Sequence, residues 1–159
     1  MTSADLLLRN ARLVRDGAPA EPVAGTTSAR ELAGPAAQVV AGRRLGRRAG
    51  RAFAFGGLLA AGAELRLGSD APVAPLDPWL SAAAAVHRSD DDRESWHPEQ
   101  EIPVGAALDA STRGGRTPRA GGPADLVVLD ADPMLAAVDD LRTFPVHSTL
   151  LAGRWTWQA

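Results

Sequence analysis

The chain contains no cysteine and no lysine. Without cysteine it has no disulfides, no thiolate metal ligands and no thiol nucleophile. Without lysine it has no Schiff base, no phosphate-binding lysine of the P-loop kind and no carbamylated-lysine metal bridge. All 17 basic residues are arginine, and there are only 3 histidines, none of them before His87. Together with abundant alanine and glycine, this is the mark of GC-rich coding rather than of a particular chemistry. No apolar run approaches the roughly 18–20 residues of a membrane span. The start, with Asp5 ahead of three leucines, lacks the basic region of a secretory signal. GRRLGRRAGR followed by AFAFGGLLAAGA has signal-like order, but it stands well inside the chain and the only methionines are Met1 and Met134. The expectation is a cytoplasmic protein.

What remains is globular. The 159 residues allow one domain of ordinary size, at 45% hydrophobic and 23% charged. A net charge of -2 gives no general pull toward nucleic acid or anionic lipid, so neither is an expected partner. Arg43, Arg44, Arg47, Arg48 and Arg51 nevertheless gather around glycines 42, 46 and 50. A nucleic-acid patch is the sharp reading of that cluster. No aromatic is interleaved, and a solvated linker is the plainer reading.

The most informative stretch is AELRLGSDAPVAPLDP, residues 63–78. Ala63, Leu65 and Leu67 alternate with Glu64 and Arg66, the period of a strand. Gly68 ends it, and Ser69 and Asp70 follow where strand-to-helix loops of α/β enzymes carry reactive groups. Asp77 and Pro78 are cap and first residue of a helix running to about Arg88, with Trp79, Ala83 and Val86 on one face.

Upstream, residues 4–14 read as opening strands. Asp16-Gly17 is a turn signal, after which Pro19 and Pro22 are expected to prevent regular pairing. Residues 28–40 offer a helix capped by Ser28 and broken by Gly34-Pro35. Residues 52–61 read as a buried helix weakened by Gly56-Gly57.

Downstream, residues 89–102 read as an exposed loop, acidic at Asp90, Asp91 and Asp92. A weakly capped helix is expected from Pro103, with Ile102 as its cap, and a strand over residues 124–130. A hairpin of 146–151 with 155–157 closes the chain, its tryptophans at period two on one face. His87 falls at a helix end, His97 in a loop and His147 in the hairpin. None has the spacing of a ligand pair. Ser69 lacks the histidine and the glycine elbow of a serine nucleophile.

The segments LLAAGAELRLGSDAPVAPLDPW, WHPEQEIPVGAALDAST, ADLVVLDADP and VHSTLLAGRW, with the opening ADLLLRNARLV, resemble the amidohydrolase superfamily, nearest its family 3 group. The GSDAP turn before the LDP helix start is the specific part, and about three quarters of the chain is covered. The resemblance implies an α/β protein: part of a (β/α)8 metal-dependent hydrolase barrel, with a small β-sandwich built from both chain ends. It assigns residues 1–23 and 120–159 to the sandwich, 24–50 to a linker or poorly ordered segment, and 51–119 to the C-terminal part of the barrel. Ala63–Gly68 becomes the last barrel strand. Asp70 becomes the catalytic carboxylate and metal ligand, which takes a proton from zinc-bound water attacking an amide-type carbon–nitrogen bond of a small molecule.

The departures are as informative. The family's His-x-His pair is absent, as are its further histidines and its bridging lysine. A (β/α)8 barrel takes about 200–250 residues, whereas only about forty separate the opening strands from Ala52. The expectation is a hydrolase-family chain that is inactive in this form. Its alternatives are a non-catalytic module that associates with a second copy or an intact relative, and an internally deleted gene product.

Overall fold

The computed structural model describes residues 11–15, 18–23, 43–69, 71–72, 74–112 and 121–159. The expected helix over 28–40 and the opening residues 4–10 lie outside them. Strands β1 (Ala11–Arg15) and β2 (Ala18–Val23) flank the Asp16-Gly17 position and pair antiparallel, Arg12 opposite Pro22 and Val14 opposite Pro19. The prolines therefore do not prevent pairing. A two-stranded ribbon consists only of edges, where a residue without an N–H is tolerated, and the register slips between the two prolines. Among the described residues β1 pairs with β2, and the C-terminal strands form a separate sheet.

Three α-helices carry the middle of the chain: α1 (Phe55–Ala60), α2 (Pro78–Val86) and α3 (Val104–Ser111). Helix α2 begins as its sequence dictates. Asp77 has extended backbone and its Oδ1 accepts from the Trp79 amide at 2.9 Å, while Pro78 fills the first turn. Its burial is wider than one face, since every residue from Ser81 to Ala85 is buried. Short side chains make this feasible. Ala82, Ala84 and Ala85 pack with Phe53, Phe55, Leu58, Leu65, Ile102 and Ala107 on one side. On the other, Ala83 packs with Leu141 and Phe144. Pro103, rather than Ile102, stands at the cap of α3, and no side chain caps it.

Helix α1 is shorter than residues 52–61, because Phe53 adopts φ 53° and the chain enters the helix only at Phe55. Gly56 is there for contact. A Cβ on it would stand 2.7 Å from the Glu99 carbonyl oxygen, in the 3-10 turn Pro98–Gln100 that crosses the helix. The loop 89–102 is exposed at its acidic tip but anchored at both ends: Arg88, Ser89 and Ile102 are buried.

The C-terminal sheet runs β3–β4–β5, antiparallel throughout, from Leu126–Leu129, Val146–Leu151 and Arg154–Gln158. A two-residue turn joins β4 to β5 with positive φ at both Ala152 and Gly153, which suits the right-handed twist of a hairpin. Helix α4 (Val138–Arg142), not foreseen from the sequence, precedes β4 and buries Leu141 completely. Trp79 stacks on Phe144 with ring centroids 4.8 Å apart.

The two hairpin tryptophans do not share a face. The register slips so that Thr149 opposes Trp157 while Leu150 opposes Trp155. Adjacent residues of a strand point to opposite faces, so the tryptophans do too. Both remain half exposed, at 56% for Trp155 and 48% for Trp157.

Candidate functional site

Ala63–Gly68 carries the alternation that its sequence predicts: Ala63 and Leu65 are each 5% exposed, while Glu64 faces solvent. It is not a strand. Among the described residues no ladder forms along it, and its amides bond singly, Ala63 to the Leu58 oxygen (2.9 Å) and Leu67 to the Ala110 oxygen (3.1 Å). Side-chain periodicity is a local property, whereas a strand assignment needs a neighbouring backbone in register. Beside this segment lies a cleft of about 270 Å³, floored by Leu59, Ala63, Leu65, Ala106 and Ala110. At its edge are Asp109 and an ion pair between Arg66 and Glu64.

Asp70, the residue singled out at the end of this segment, lies outside the described residues. Ser69 before it is half-buried, and Ala71 and Pro72 after it are exposed. Helix α2 then carries the chain away. Its nine residues span about 13 Å at 1.5 Å per residue, with His87 at the far end.

Each histidine has its own carboxylate. His87 Nδ1 is 3.5 Å from Glu101 Oε1, and its Nε2 donates to the Arg93 carbonyl at 3.2 Å. His97, held at φ 56° before Pro98, places Nδ1 2.9 Å from Glu99 Oε1. His147 Nδ1 stands 3.3 Å from Asp130 Oδ1, at the junction of β3 and β4. A catalytic zinc takes three protein ligands on one centre. Among the described residues no three of the histidine, aspartate and glutamate side chains converge on one point. The described donor set does not fit such a centre.

The best-built polar arrangement involves a residue that sequence reading passed over. Arg88, 4% exposed, donates from Nε to the Trp96 oxygen (2.7 Å), from Nη1 to the Phe53 oxygen (2.8 Å) and from Nη2 to the Ala52 oxygen (3.1 Å). Its guanidinium lies over the rings of Trp96 (5.5 Å) and Phe55 (5.9 Å). Burial lowers its pKa to about 10, against the opposing pull of Glu99 and Glu101, and it remains a cation at neutral pH. It holds the loop ahead of α1 to the loop after α2. The only sequence signal for it was its place next to His87 at a helix end.

In the acidic loop, the Arg93 backbone amide bonds Asp91 Oδ1 at 3.1 Å. That bond, with the Arg93 guanidinium and the Ser89 hydroxyl, holds the Asp91 carboxyl below its usual range. Arg93 thus staples the loop through both Asp90 and Asp91.

The sequence profile of the amidohydrolase family matches residues 18–156. The chain belongs to the amidohydrolase family, in its family 3 group. No curated protein and no solved structure matches it. Membership accords with the α/β content and points to hydrolase-type function on small molecules, with a divalent metal general in the family. Among the described residues no helix is long and apolar enough to cross a membrane.

Proposed function

We propose that this amidohydrolase-family chain descends from metal-dependent hydrolases of non-peptide carbon–nitrogen bonds but does not hydrolyse them on its own. One observation carries the reading. The only three histidines sit on separate elements, each beside a different carboxylate, in a sequence with neither a His-x-His pair nor a lysine. In the full family arrangement several imidazoles converge on one ion. Here Asp70 is the one residue that matches the family's proton-accepting position, and a lone carboxylate neither fixes a divalent ion firmly nor activates water. Residues 51–119 are read as the end of the barrel, and residues 1–23 and 120–159 as its accessory sandwich.

The test is zinc content after dialysis against a weak chelator, with turnover of amide and N-formyl substrates, for the chain and for Asp70→Asn. The expected result is no stoichiometric zinc and no metal-dependent turnover in either. One zinc per chain with turnover, both lost in Asp70→Asn, overturns the proposal and restores Asp70 as metal ligand and catalytic base.

A second reading has its own observation. Ala63–Gly68 is apolar on one side and extended, without a ladder partner among the described residues. Such a segment suits pairing with a backbone from a second copy or an intact relative. Co-elution with a full-length relative on gel filtration favours this module; elution as a monomer in every mixture removes it.

A further inference from the structure

The arginine cluster lies outside the segments that carry the family resemblance, and its side chains differ in setting from most of the other described arginines. Arg43–Leu45 form a helical turn, and Gly46–Arg51 continue as a 3-10 helix after a backbone turn at Gly46, φ 51°. Two small residues of this segment, Ala49 and Gly50, face inward, whereas Gly46 is exposed. Ala49 is 7% exposed, and a Cβ on Gly50 would meet the His97 ring at 3.2 Å. The side chains of Arg43, Arg44, Arg47 and Arg51 are all exposed. None of the four forms an ion pair or hydrogen bond with the described residues. Elsewhere four described arginines are committed: Arg66 to Glu64, Arg93 to Asp90 and Asp91, Arg142 to Asp139 and the Ser89 carbonyl, Arg88 to three carbonyls, while Arg154 stands exposed on β5 with no partner among the described residues. Glu99, whose carboxylate lies 3.7 Å from where a Cβ on Gly50 would stand, is turned to His97 at 2.9 Å.

We propose that the Arg43–Arg51 face binds the phosphate backbone of double-stranded nucleic acid without reading its sequence. Guanidinium is the side-chain group best matched to phosphate, through paired N–H donors in a plane. The 3-10 stretch of six residues extends on the order of 12 Å, and a duplex offers one phosphate per about 1.7 Å of its axis, so several phosphates lie within the span of the segment. Two features favour nucleic acid over an anionic membrane and duplex over single strand. No apolar side chain on this face is fully exposed for insertion among lipids, Leu45 being half-buried and Ala49 buried. No aromatic stands in the segment to stack an unpaired base. The overall charge of -2 does not oppose this, because binding depends on the local density of cations.

The test is fluorescence anisotropy of a labelled DNA duplex of about 20 base pairs titrated with the chain at rising salt. Four phosphate contacts give a slope of log affinity against log salt of about −3.6, roughly a hundredfold loss between about 50 and 200 mM. The variant R43Q/R44Q/R47Q/R51Q, checked for folding by circular dichroism, is expected to lose at least tenfold at the lower salt. Absence of saturable duplex binding there overturns the proposal, as does a slope shallower than about −2. The slope is read on the unaltered chain, so this arm stands whether or not the variant folds. A folded variant that binds within tenfold of the original also overturns it, and so does tighter binding to phosphatidylcholine–phosphatidylserine vesicles than to the duplex.

Discussion

The Arg88 guanidinium donates to the Phe53 carbonyl at 2.8 Å, joining residues 35 positions apart through a buried charge. With the bonds to Ala52 and Trp96, this one side chain satisfies three carbonyls that line the entry to α1 and the loop beyond α2. Arg88→Met keeps much of the volume and removes every donor. Each buried acceptor left unmatched costs about 1–3 kcal/mol. A loss of about 3 kcal/mol is expected, which lowers the Tm by roughly 6–12 °C for a chain of this size. Thermal melts followed by circular dichroism check it, and a shift under about 2 °C shows that the three bonds contribute little.

How much of this was legible follows the range of each interaction. The α2 cap was readable because Asp77 and Pro78 act on their own neighbours. The 146–158 hairpin was readable because Ala152-Gly153 determines its own turn. Ala63–Gly68 shows the limit: its burial alternates as the sequence predicts, yet a strand depends on a partner that sequence periodicity does not encode. Prolines 19 and 22 failed as breakers because β2 is an edge. Arg88 was missed because its partners are backbone carbonyls, which carry no residue signature. Of the candidate site, the separation of the histidines was legible from their spacing. Their pairing with Glu101, Glu99 and Asp130 was not, since Glu101 and Asp130 stand 14 and 17 positions from their histidines and only the fold brings them close.

Leu141 is completely buried in the short helix α4, against Phe144 and Ala83. A helix of five residues has little stability of its own, so its packing holds it. Leu141→Ala is expected to cost about 2–5 kcal/mol, through lost transfer free energy and a residual cavity. Chemical denaturation measures this; a cost below about 1 kcal/mol places Leu141 on a surface that relaxes freely.

Asp91 and Glu99 both have carboxyl pKa values below their ordinary 3.8 and 4.5. For Asp91 the first cause is the Arg93 amide; for Glu99 it is its own backbone N–H, followed by His97. A carboxylate whose folded pKa is depressed binds fewer protons folded than unfolded. Its stabilisation is therefore present above the ordinary pKa and lost as pH falls through the lowered folded value. Stability is expected to decline below about pH 4.5, and Asp91→Asn is expected to flatten part of that decline. Denaturation midpoints from pH 7 to pH 3 test the sign; an identical slope in the variant removes Asp91 from the account.

Gly56 and Gly57 are adjacent in α1, and alanine in place of either is worth about 1 kcal/mol in helix propensity alone. Their surroundings differ. At Gly56 a Cβ meets backbone, the Glu99 oxygen at 2.7 Å and the Gln100 Cα at 3.0 Å, neither of which yields without moving the 98–100 turn. At Gly57 it meets only the Gln100 Oε1 at 3.5 Å, an ordinary contact with the end of a flexible side chain. That oxygen accepts from the Gly57 amide at 3.0 Å, a bond an added methyl does not remove. Opposite signs are therefore expected. Gly57→Ala raises stability by up to about 1 kcal/mol, whereas Gly56→Ala lowers it by about 1–3 kcal/mol as overpacking outweighs propensity. Urea denaturation of the two variants side by side decides the matter, since both share the same unfolded-state gain. If Gly56→Ala stabilises as much as Gly57→Ala, the 98–100 turn does not lie across α1 at this distance.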